Sequence, residues 1–291
     1  MDAYLAFRAA GAIFPHIPRR LGYALTGWLA DALCSRDVRA VRNLRDNIRH
    51  AMGTSASPDP IHQAVRRACR GLLQNYLDMF RVAALTDDQL RGVVEVVNWE
   101  IVESARALGR GVLLCSAHVG HVEAGLQMVA LNGLPVMGLA EHVQPERLYQ
   151  YLVALRTRHG VHFIPTDGPM LELFRALRRN EGVGTMLDRD TTGSGVQVEL
   201  CGARARVPDG YAHIAAKLRT PLVVGFCYRL PGGRAQIKLE ASFVPDVSAR
   251  AARDSVYQAA LDFGVRQLER VITRQPDQWV LTSPIWMQDI K

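Results

Sequence analysis

From residue 93 onward the chain alternates between short apolar runs and longer stretches with helical spacing. The runs predict β-strands and the longer stretches predict α-helices, beginning with VVEVVN, WEIVESARAL and GVLLCSA. Alternation of this kind is typical of an α/β fold in which a mostly parallel sheet is covered by helices on both faces. Closely spaced strands around 183–201 and 221–243 predict hairpins, so the sheet is expected to be mixed.

The first 50 residues predict an amphipathic helical cap. Two helical stretches, 2–14 and 21–34, flank a proline-containing turn, and arginines follow at positions 36, 39, 42, 45 and 49. Apolar and aromatic residues next to arginines are typical of a helix in the headgroup layer of an anionic membrane, but a core helix hairpin before a solvated basic helix has the same spacing. We expect one domain over residues 1–291, with residues 1–50 as its membrane-facing cap. No membrane-spanning helix is expected, because no apolar run reaches about 18 residues.

Charge and cysteine content limit which partners, disulfides and metal sites are expected. Lys and Arg number 35 against 28 Asp and Glu, which gives a net charge of +7. This excess attracts nucleic acid, anionic membranes or acidic ligands. Because the basic residues are dispersed and no nucleic-acid module is recognised, no nucleic-acid partner is expected. The five cysteines are far apart without C-x-x-C spacing, so we expect neither a disulfide framework nor a zinc ribbon.

The stretch GVLLCSAHVGHVEAG at 111–125 carries the strongest chemical signal. His118 follows a predicted buried strand, and Gly120 allows a sharp turn into the next helix. Open α/β folds place their sites at this edge of the sheet. Glu123 falls in the first turn of that helix, so we expect it to hold one ring nitrogen of His118 and leave the other free as a base. The alternative is a structural polar pair at a strand end.

Further candidate residues follow in other blocks. Asp188 and Asp190 come directly after the apolar strand VGTML, and Arg156 ends a predicted helix before the strand VHFIP. Arg206 lies in a Gly-, Arg- and Pro-containing segment that leads into a helix. The strand ends before His118 and Asp188 are expected on one edge of the sheet. Asp190 is expected to orient Arg156 or to bind sugar hydroxyls, and a structural salt bridge is the alternative.

These blocks together resemble a known family. The box from His118 to Glu123 is similar to the H-x4-[D/E] box of the glycerolipid and lysophospholipid acyltransferase superfamily. Arg156 with Gly160 resembles an R-x3-G block, and MLDRDTTGSGVQVELCGARARVPDG and PDQW resemble blocks of the bacterial lipid A late acyltransferases. Val122, where those enzymes usually have Trp, and the late segment VLTSPIW are more similar to the phosphatidylinositol mannoside acyltransferase branch.

The resemblance implies an enzyme that moves a fatty acyl chain from acyl-CoA or acyl-ACP to a hydroxyl of a membrane glycolipid or lysolipid, without another cofactor. His118 would be the general base and Glu123 its orienting carboxylate. Substrate contacts are expected from Arg156, Asp188, Asp190 and Arg206. No G-x-S-x-G elbow is present, so no covalent acyl-enzyme is expected. The implied location is peripheral, at the cytoplasmic face of the plasma membrane.

Two other functions are compatible with the same residues. A metal-dependent hydrolase would use His118, His121 and Glu123. This spacing does not bring ligands together as H-E-x-x-H does on one helix face, so no metal site is expected. A non-enzymatic protein that binds anionic lipid would depend on the arginines alone.

Overall fold

Nine strands are present in the part of the chain that the structure describes, residues 2–36, 38–53, 55–168, 170–248 and 252–287. In this computed structural model the strands are β1 Val94–Val97, β2 Val112–Ser116, β3 Val136–Ala140, β4 His162–Pro165, β5 Gly182–Met186, β6 Val196–Leu200, β7 Ala203–Val207, β8 Leu222–Arg229 and β9 Ala235–Phe243. Seven of them form one sheet in the order β1-β9-β8-β2-β5-β3-β4, and β6 pairs with β7.

Helices precede the sheet and alternate with its strands. Their bounds are α1 Ala3–Ile13, α2 Arg19–Cys34, α3 Arg39–Met52, α4 Pro58–Ala84, α5 Asp87–Val93, α6 Glu100–Arg106, α7 Val122–Leu131, α8 Glu146–Arg156, α9 Leu171–Arg178, α10 Gly210–Leu218 and α11 Arg253–Arg274. The predicted α/β architecture with an N-terminal helical cap is therefore confirmed.

The directions of the strands determine where a site can form. β2 runs parallel to both of its neighbours, β8 and β5, and β3 runs parallel to β5 and β4. β9 is antiparallel to β8 and parallel to β1, so the sheet is mixed, as predicted. The carboxyl ends of β2 and β5 consequently lie side by side, at the edge where open α/β folds place their sites.

Of the two predicted hairpins, one is confirmed and one is wrong. β8 and β9 form the hairpin expected around 221–243. Around 183–201, β5 joins the main sheet, and β6 pairs instead with β7, a strand that the sequence did not predict. The sequence ARARV of β7 alternates exposed arginines with the buried Ala205 and Val207, so its apolar content is too low to stand out. Trp286 forms an antiparallel bridge with Ala205 and extends this small sheet.

Helices cover both faces of the main sheet. Along β2, Leu113 and Cys115 point into a core that also contains residues of α9, α10 and α11. Val112 and Leu114 alternate with them and point into a second core with α5, α6 and α7. A central parallel strand that is buried on both faces has a continuous apolar sequence, which explains the run VLLCS.

The cap has its own core but leaves apolar side chains outside. α2, α3 and α4 share a buried cluster that includes Ala30, Leu44, Ile48 and Cys69. The large apolar residues that α1 and α2 expose are Leu5, Ile13, Leu21, Leu25, Trp28 and Leu29. Within the described ranges, no helix is both long and apolar enough to span a bilayer.

Candidate active site

His118 and Asp188 meet at the carboxyl edge of the sheet, just beyond the neighbouring strands β2 and β5. The Nδ1 atom of His118 lies 2.9 Å from Oδ1 of Asp188. Asp188 is fully buried, whereas the His118 side chain is 26% exposed. When Nδ1 donates to the carboxylate, Nε2 is the nitrogen left to act as a base. The prediction that these two strand ends share an edge is confirmed.

Asp188 is itself held by groups on both sides. Its Oδ2 accepts hydrogen bonds from the backbone N–H of His118 at 2.8 Å and from the indole Nε1–H of Trp279 at 2.9 Å. Burial alone would raise the pKa of Asp188, but the charge of His118 and these hydrogen bonds together lower that pKa below its usual value. Asp188 is therefore kept as a carboxylate that can stabilise an imidazolium.

Glu123 pairs with Arg156, so the prediction that Glu123 orients His118 is wrong. Its two oxygens accept hydrogen bonds from Nε and Nη2 of Arg156 at 2.9 and 2.6 Å. α7 begins at Val122, and Glu123 points from its first turn to the end of α8. Asp188, from the strand next to β2, occupies the position beside the ring that was expected for Glu123. Local spacing places Glu123 near the turn but does not show which helix packs beside it.

Glu123 holds the guanidinium of Arg156 in place at the end of α8. The charge of Glu123 raises the pKa of Arg156. The Arg156 side chain is 33% exposed although it is bound at two points. A guanidinium carries five N–H donors, so Arg156 has donors beyond the two that bind Glu123. Its contact with substrate stays a prediction.

Asp190 stabilises the loop that follows it and does not orient Arg156. Its carboxylate accepts hydrogen bonds from the backbone N–H groups of Thr192, Gly193 and Gly195 at 2.9, 2.9 and 2.7 Å. Burial raises the pKa of Asp190, but these hydrogen bonds more than offset it and lower the pKa. The expectation of an Asp190–Arg156 pair is wrong because the loop's own amides saturate the carboxylate.

Arg206 lies on exposed β7 beside the same loop. Its Nη1 is 3.3 Å from the carbonyl oxygen of Gly193. Its role in substrate binding, like that of Asp190, stays a prediction.

The C-terminal segment 276–280 supports the turn after His118. The N–H of Val280 donates to the carbonyl of His118 at 2.8 Å, and the N–H of Gly120 donates to the carbonyl of Gln278 at 2.8 Å. Trp279 is completely buried and reaches Asp188. The sequence singled out the PDQW block by resemblance without giving it a role, and the structure makes it part of the site's support.

The turn itself requires glycine. Gly120 has φ +65°, and a Cβ placed there would lie 2.3 Å from the carbonyl oxygen of Cys227. Any side chain would therefore push the turn away from β8 and move His118 with it.

The polar residues behind this turn were not predicted from the sequence to belong to the site. Asn75 and Asp78 of α4 are buried, and Asp78 pairs with Arg229 at the end of β8. The signal that could have found them is the presence of Asn75 and Asp78 on a face of α4 that is otherwise apolar.

In the described part of the chain, His118, His121 and Glu123 pair with three different groups and do not share a metal site. Over the described part of the chain, no group of three or more His, Cys, Asp or Glu side chains is arranged to hold a metal ion. The partners of His118, His121 and Glu123 are Asp188, Asp78 and Arg156 respectively. Complete burial raises the pKa of Cys115, so this thiol, three residues before His118, is not a ready nucleophile.

The central feature of the site is a strand-end histidine held by a buried carboxylate, in a sequence without a G-x-S-x-G nucleophile elbow. Comparison with known proteins supplies the family. The model of the family described as bacterial lipid A biosynthesis acyltransferase matches residues 3–288. The chain therefore belongs to this family and is an acyltransferase.

Individual relatives are similar over most of the chain. It is 28% identical over 293 residues to a phosphatidylinositol mannoside acyltransferase of Mycolicibacterium smegmatis, an alignment that covers 93% of this chain and 92% of that protein. It is 27% identical over 259 residues to proteins of the same name from two strains of Mycobacterium tuberculosis, with 85% and 77% covered. The resemblance inferred from the motif blocks is confirmed.

Proposed function

We propose that this acyltransferase moves a fatty acyl chain from a thioester donor, acyl-CoA or acyl-ACP, to a hydroxyl of a membrane glycolipid or lysolipid. The observation that carries the proposal is the His118 ring, fixed through Nδ1 by Asp188 and partly exposed at the sheet edge. The relatives are named for phosphatidylinositol mannoside, so a mannose-containing glycolipid is the first acceptor to test. No cofactor other than the donor itself is proposed.

The proposed reaction needs no covalent acyl-enzyme. Nε2 of His118 takes the proton of the acceptor hydroxyl while that oxygen attacks the thioester carbonyl carbon. The C–S bond then breaks, and the imidazolium returns its proton to the departing thiolate, so the products are an ester and a free thiol. Asp188 stabilises the imidazolium between these steps, as the carboxylate of a Ser-His-Asp triad does.

Substrate contacts are proposed around this pair. Arg156 keeps N–H donors for an anionic group of donor or acceptor. We also propose that the loop held by Asp190, with Arg206 beside it, contacts polar groups of the substrate, because this loop follows directly from Asp188.

We propose that the enzyme works as a peripheral protein at the cytoplasmic face of the plasma membrane. The exposed apolar residues of α1 and α2 form a surface that suits the acyl region of a bilayer. Arginines at 36, 39, 42, 45 and 49 are all exposed and suit anionic headgroups. This arrangement favours the membrane-facing alternative for the cap over a buried helix hairpin.

The test is acyl transfer from labelled palmitoyl-CoA, or palmitoyl-ACP, to vesicles that contain a phosphatidylinositol mannoside or a lysophospholipid. His118→Ala should lower kcat/KM by about 10²–10⁴-fold, which is the usual contribution of a general base. His162→Ala, a change at a 62% exposed histidine, is the matched control and should be fully active.

Two results would contradict the proposal. Wild-type turnover by folded His118→Ala would remove the proposed base. Stoichiometric zinc in the purified protein, with donor hydrolysis that needs this metal, would favour the hydrolase alternative.

A further inference from the structure

A buried polar network lies behind the turn that follows His118, among residues to which no catalytic role has been given. Asp78 of α4 and Arg229 at the end of β8 form an ion pair, with 2.7 Å between Oδ2 and Nη1 and side chains that are only 4% and 13% exposed. Arg229 also donates through Nη2 to the side-chain oxygen of Asn75, which lies one turn earlier on α4.

Asn75 connects this ion pair to the turn. Its Nδ2 donates to the carbonyl of Gly120, two residues after His118, at 2.9 Å. The N–H of Gly120 is held from the other side by the carbonyl of Gln278 at 2.8 Å. Gln278 in turn accepts the backbone N–H of Arg229 through Oε1 at 2.8 Å. Both backbone groups of Gly120 are therefore tied to one connected set of hydrogen bonds.

The cap completes the network through a single hydroxyl. The phenol oxygen of Tyr23, on α2, lies 3.0 Å from each carboxylate oxygen of Asp78 and 3.3 Å from Nη1 of Arg229. α2 is the helix whose outer face carries the exposed Leu25 and Trp28. The same helix thus offers apolar residues on one side and a hydrogen bond to the site's support on the other.

Stability alone is a weak reason for such a network. Taking two charges out of water has a desolvation cost that can exceed their mutual attraction. His121 lies 3.5 Å from Asp78. Because burial lowers the pKa of His121 to about 4, this histidine is neutral near pH 7 and adds no charge to the network. Arg229 neutralises the charge of Asp78, and through Asn75 the ion pair holds the turn at Gly120 in place.

We propose that Asn75, Asp78 and Arg229 are positioning residues for acyl transfer: they hold the Gly120 turn, and through it the His118 ring, while Tyr23 makes their arrangement depend on the docked cap. The inference rests on the proposed role of His118 as the base. None of the three residues has to touch substrate. Their effect is to keep the base within reach of the acceptor hydroxyl, where a displacement of about 1 Å lowers the rate by up to about 10²-fold.

The test uses two mild substitutions, because Asp78→Asn would leave a buried guanidinium without its counter-ion. Asn75→Ala removes the hydrogen bond to Gly120 and should lower kcat about tenfold, with KM for both substrates within about twofold. Tyr23→Phe removes one hydroxyl and keeps the ring, and should lower kcat about threefold without changing vesicle binding.

The matched controls remove the same chemical groups at positions outside the network. Asn132→Ala removes an amide that donates to the carbonyl of Met128 at 2.8 Å, at the far end of α7. Tyr4→Phe removes a hydroxyl from α1, a different cap helix, where the ring packs edge-on against Tyr151. Both controls should keep wild-type kcat.

The double variant with Asn75→Ala and Tyr23→Phe decides whether the residues act together. Residues of one network are non-additive, so kcat of the double variant should be no lower than that of Asn75→Ala alone. Independent, multiplied losses would overturn the proposal, and so would wild-type kcat in Asn75→Ala. If His118→Ala keeps wild-type kcat, the proposed base has failed and the positioning inference fails with it. If only His118→Ala is inactive and Asn75→Ala is not impaired, the positioning inference alone has failed.

Discussion

At the scale of single residues, two acidic side chains near one histidine have different tasks. Asp188 is fully buried, follows the strand beside β2 and binds the His118 ring and backbone. Glu123 stands in the first turn of a helix and binds Arg156. Local spacing predicts Glu123 as the orienting group, because Glu123 is the carboxylate nearest to His118 in sequence. The carboxylate that binds the ring instead follows the neighbouring parallel strand and lies 70 residues away in sequence.

Because Asp188 and Glu123 have different partners, replacing each by its isosteric amide should have different kinetic effects. Asp188→Asn should lower kcat by up to about 10⁴-fold, because an amide that donates to Nδ1 favours the wrong tautomer of the ring. Glu123→Gln should mainly raise KM, because it loosens the guanidinium of Arg156 and leaves His118 in place. Steady-state kinetics on both variants, with circular dichroism as the check on folding, measures the difference. A larger loss of kcat in Glu123→Gln than in Asp188→Asn would return the orienting role to Glu123.

The buried His121 should make the free energy of unfolding depend on pH. Burial and, next, the charge of Arg229 lower its pKa to about 4, against about 6.5 for a histidine in an unfolded chain. Between these values the unfolded chain binds the proton and the folded chain does not, so stability is complete above about pH 6.5 and falls as pH decreases towards 4. At up to about 1.4 kcal/mol per pH unit, the loss from pH 7 to pH 5 should be about 2 kcal/mol.

Urea denaturation at pH 7 and pH 5 measures this loss. His121→Gln should lose about 2 kcal/mol less than the wild type over the same interval, whatever its stability at pH 7. The same pH difference in both proteins would assign the acid sensitivity to other groups.

At the scale of elements, the sequence predicts features that depend on a short local pattern, such as an apolar strand, better than contacts between distant segments. The strand ending before His118 and the strand ending before Asp188 are continuous apolar runs, so their shared edge could be expected from parallel packing. β7 was missed because its arginines alternate with small apolar residues. The contacts of Asn75 were missed because a helical repeat shows which face is buried, not which backbone group an amide on that face will meet.

The segment 276–280 is the element whose contribution is easiest to isolate. Trp279→Phe keeps most of the buried ring but removes the Nε1–H bond to Asp188. A hydrogen bond to a charged group is worth about 1.5–3 kcal/mol, so both stability and kcat should fall, the latter about tenfold. That bond also lowers the pKa of Asp188, so without it the part of the acid limb that reports protonation of this carboxylate should move to higher pH.

The matched change is Trp99→Phe, at the start of α6, which packs on the second core. It should leave the acid limb where it is in the wild type. If Trp279→Phe lowers stability but its pH profile does not move, then Trp279 fills space and does not tune Asp188.

At the scale of the whole molecule, the cap reaches the carboxyl edge of the sheet, where the site lies. Tyr23 of α2 reaches the Asp78–Arg229 pair, and this pair lies where β8 ends, beside the turn after His118. A cap that sits on a bilayer would therefore bring the carboxyl edge of the sheet close to the interface. Both the proposed acceptor and the product are lipids, so this placement suits the chemistry.

The arginines of the cap should make binding depend on salt. Each near-surface arginine contributes about 1 kcal/mol of attraction to an anionic leaflet, and salt screens that attraction over a Debye length. Arg45→Gln with Arg49→Gln should weaken binding to phosphatidylglycerol vesicles and leave binding to neutral vesicles unchanged. Flotation at low and high salt measures both effects. Equal loss on neutral vesicles would show that these arginines do not act through lipid charge.

The apolar surface of the cap gives the last prediction. Leu25 and Trp28 are 52% and 73% exposed on α2. Inserting such side chains into a bilayer is worth about 1.5 kcal/mol or more each, so Leu25→Ala with Trp28→Ala should lower vesicle partitioning about 100-fold, at high as well as low salt. Leu171→Ala with Val247→Ala, at exposed positions outside the cap, should partition like the wild type. Equal flotation of the two double variants would place the membrane-binding surface elsewhere, and a wild type that only detergent can extract would contradict a peripheral mode of binding.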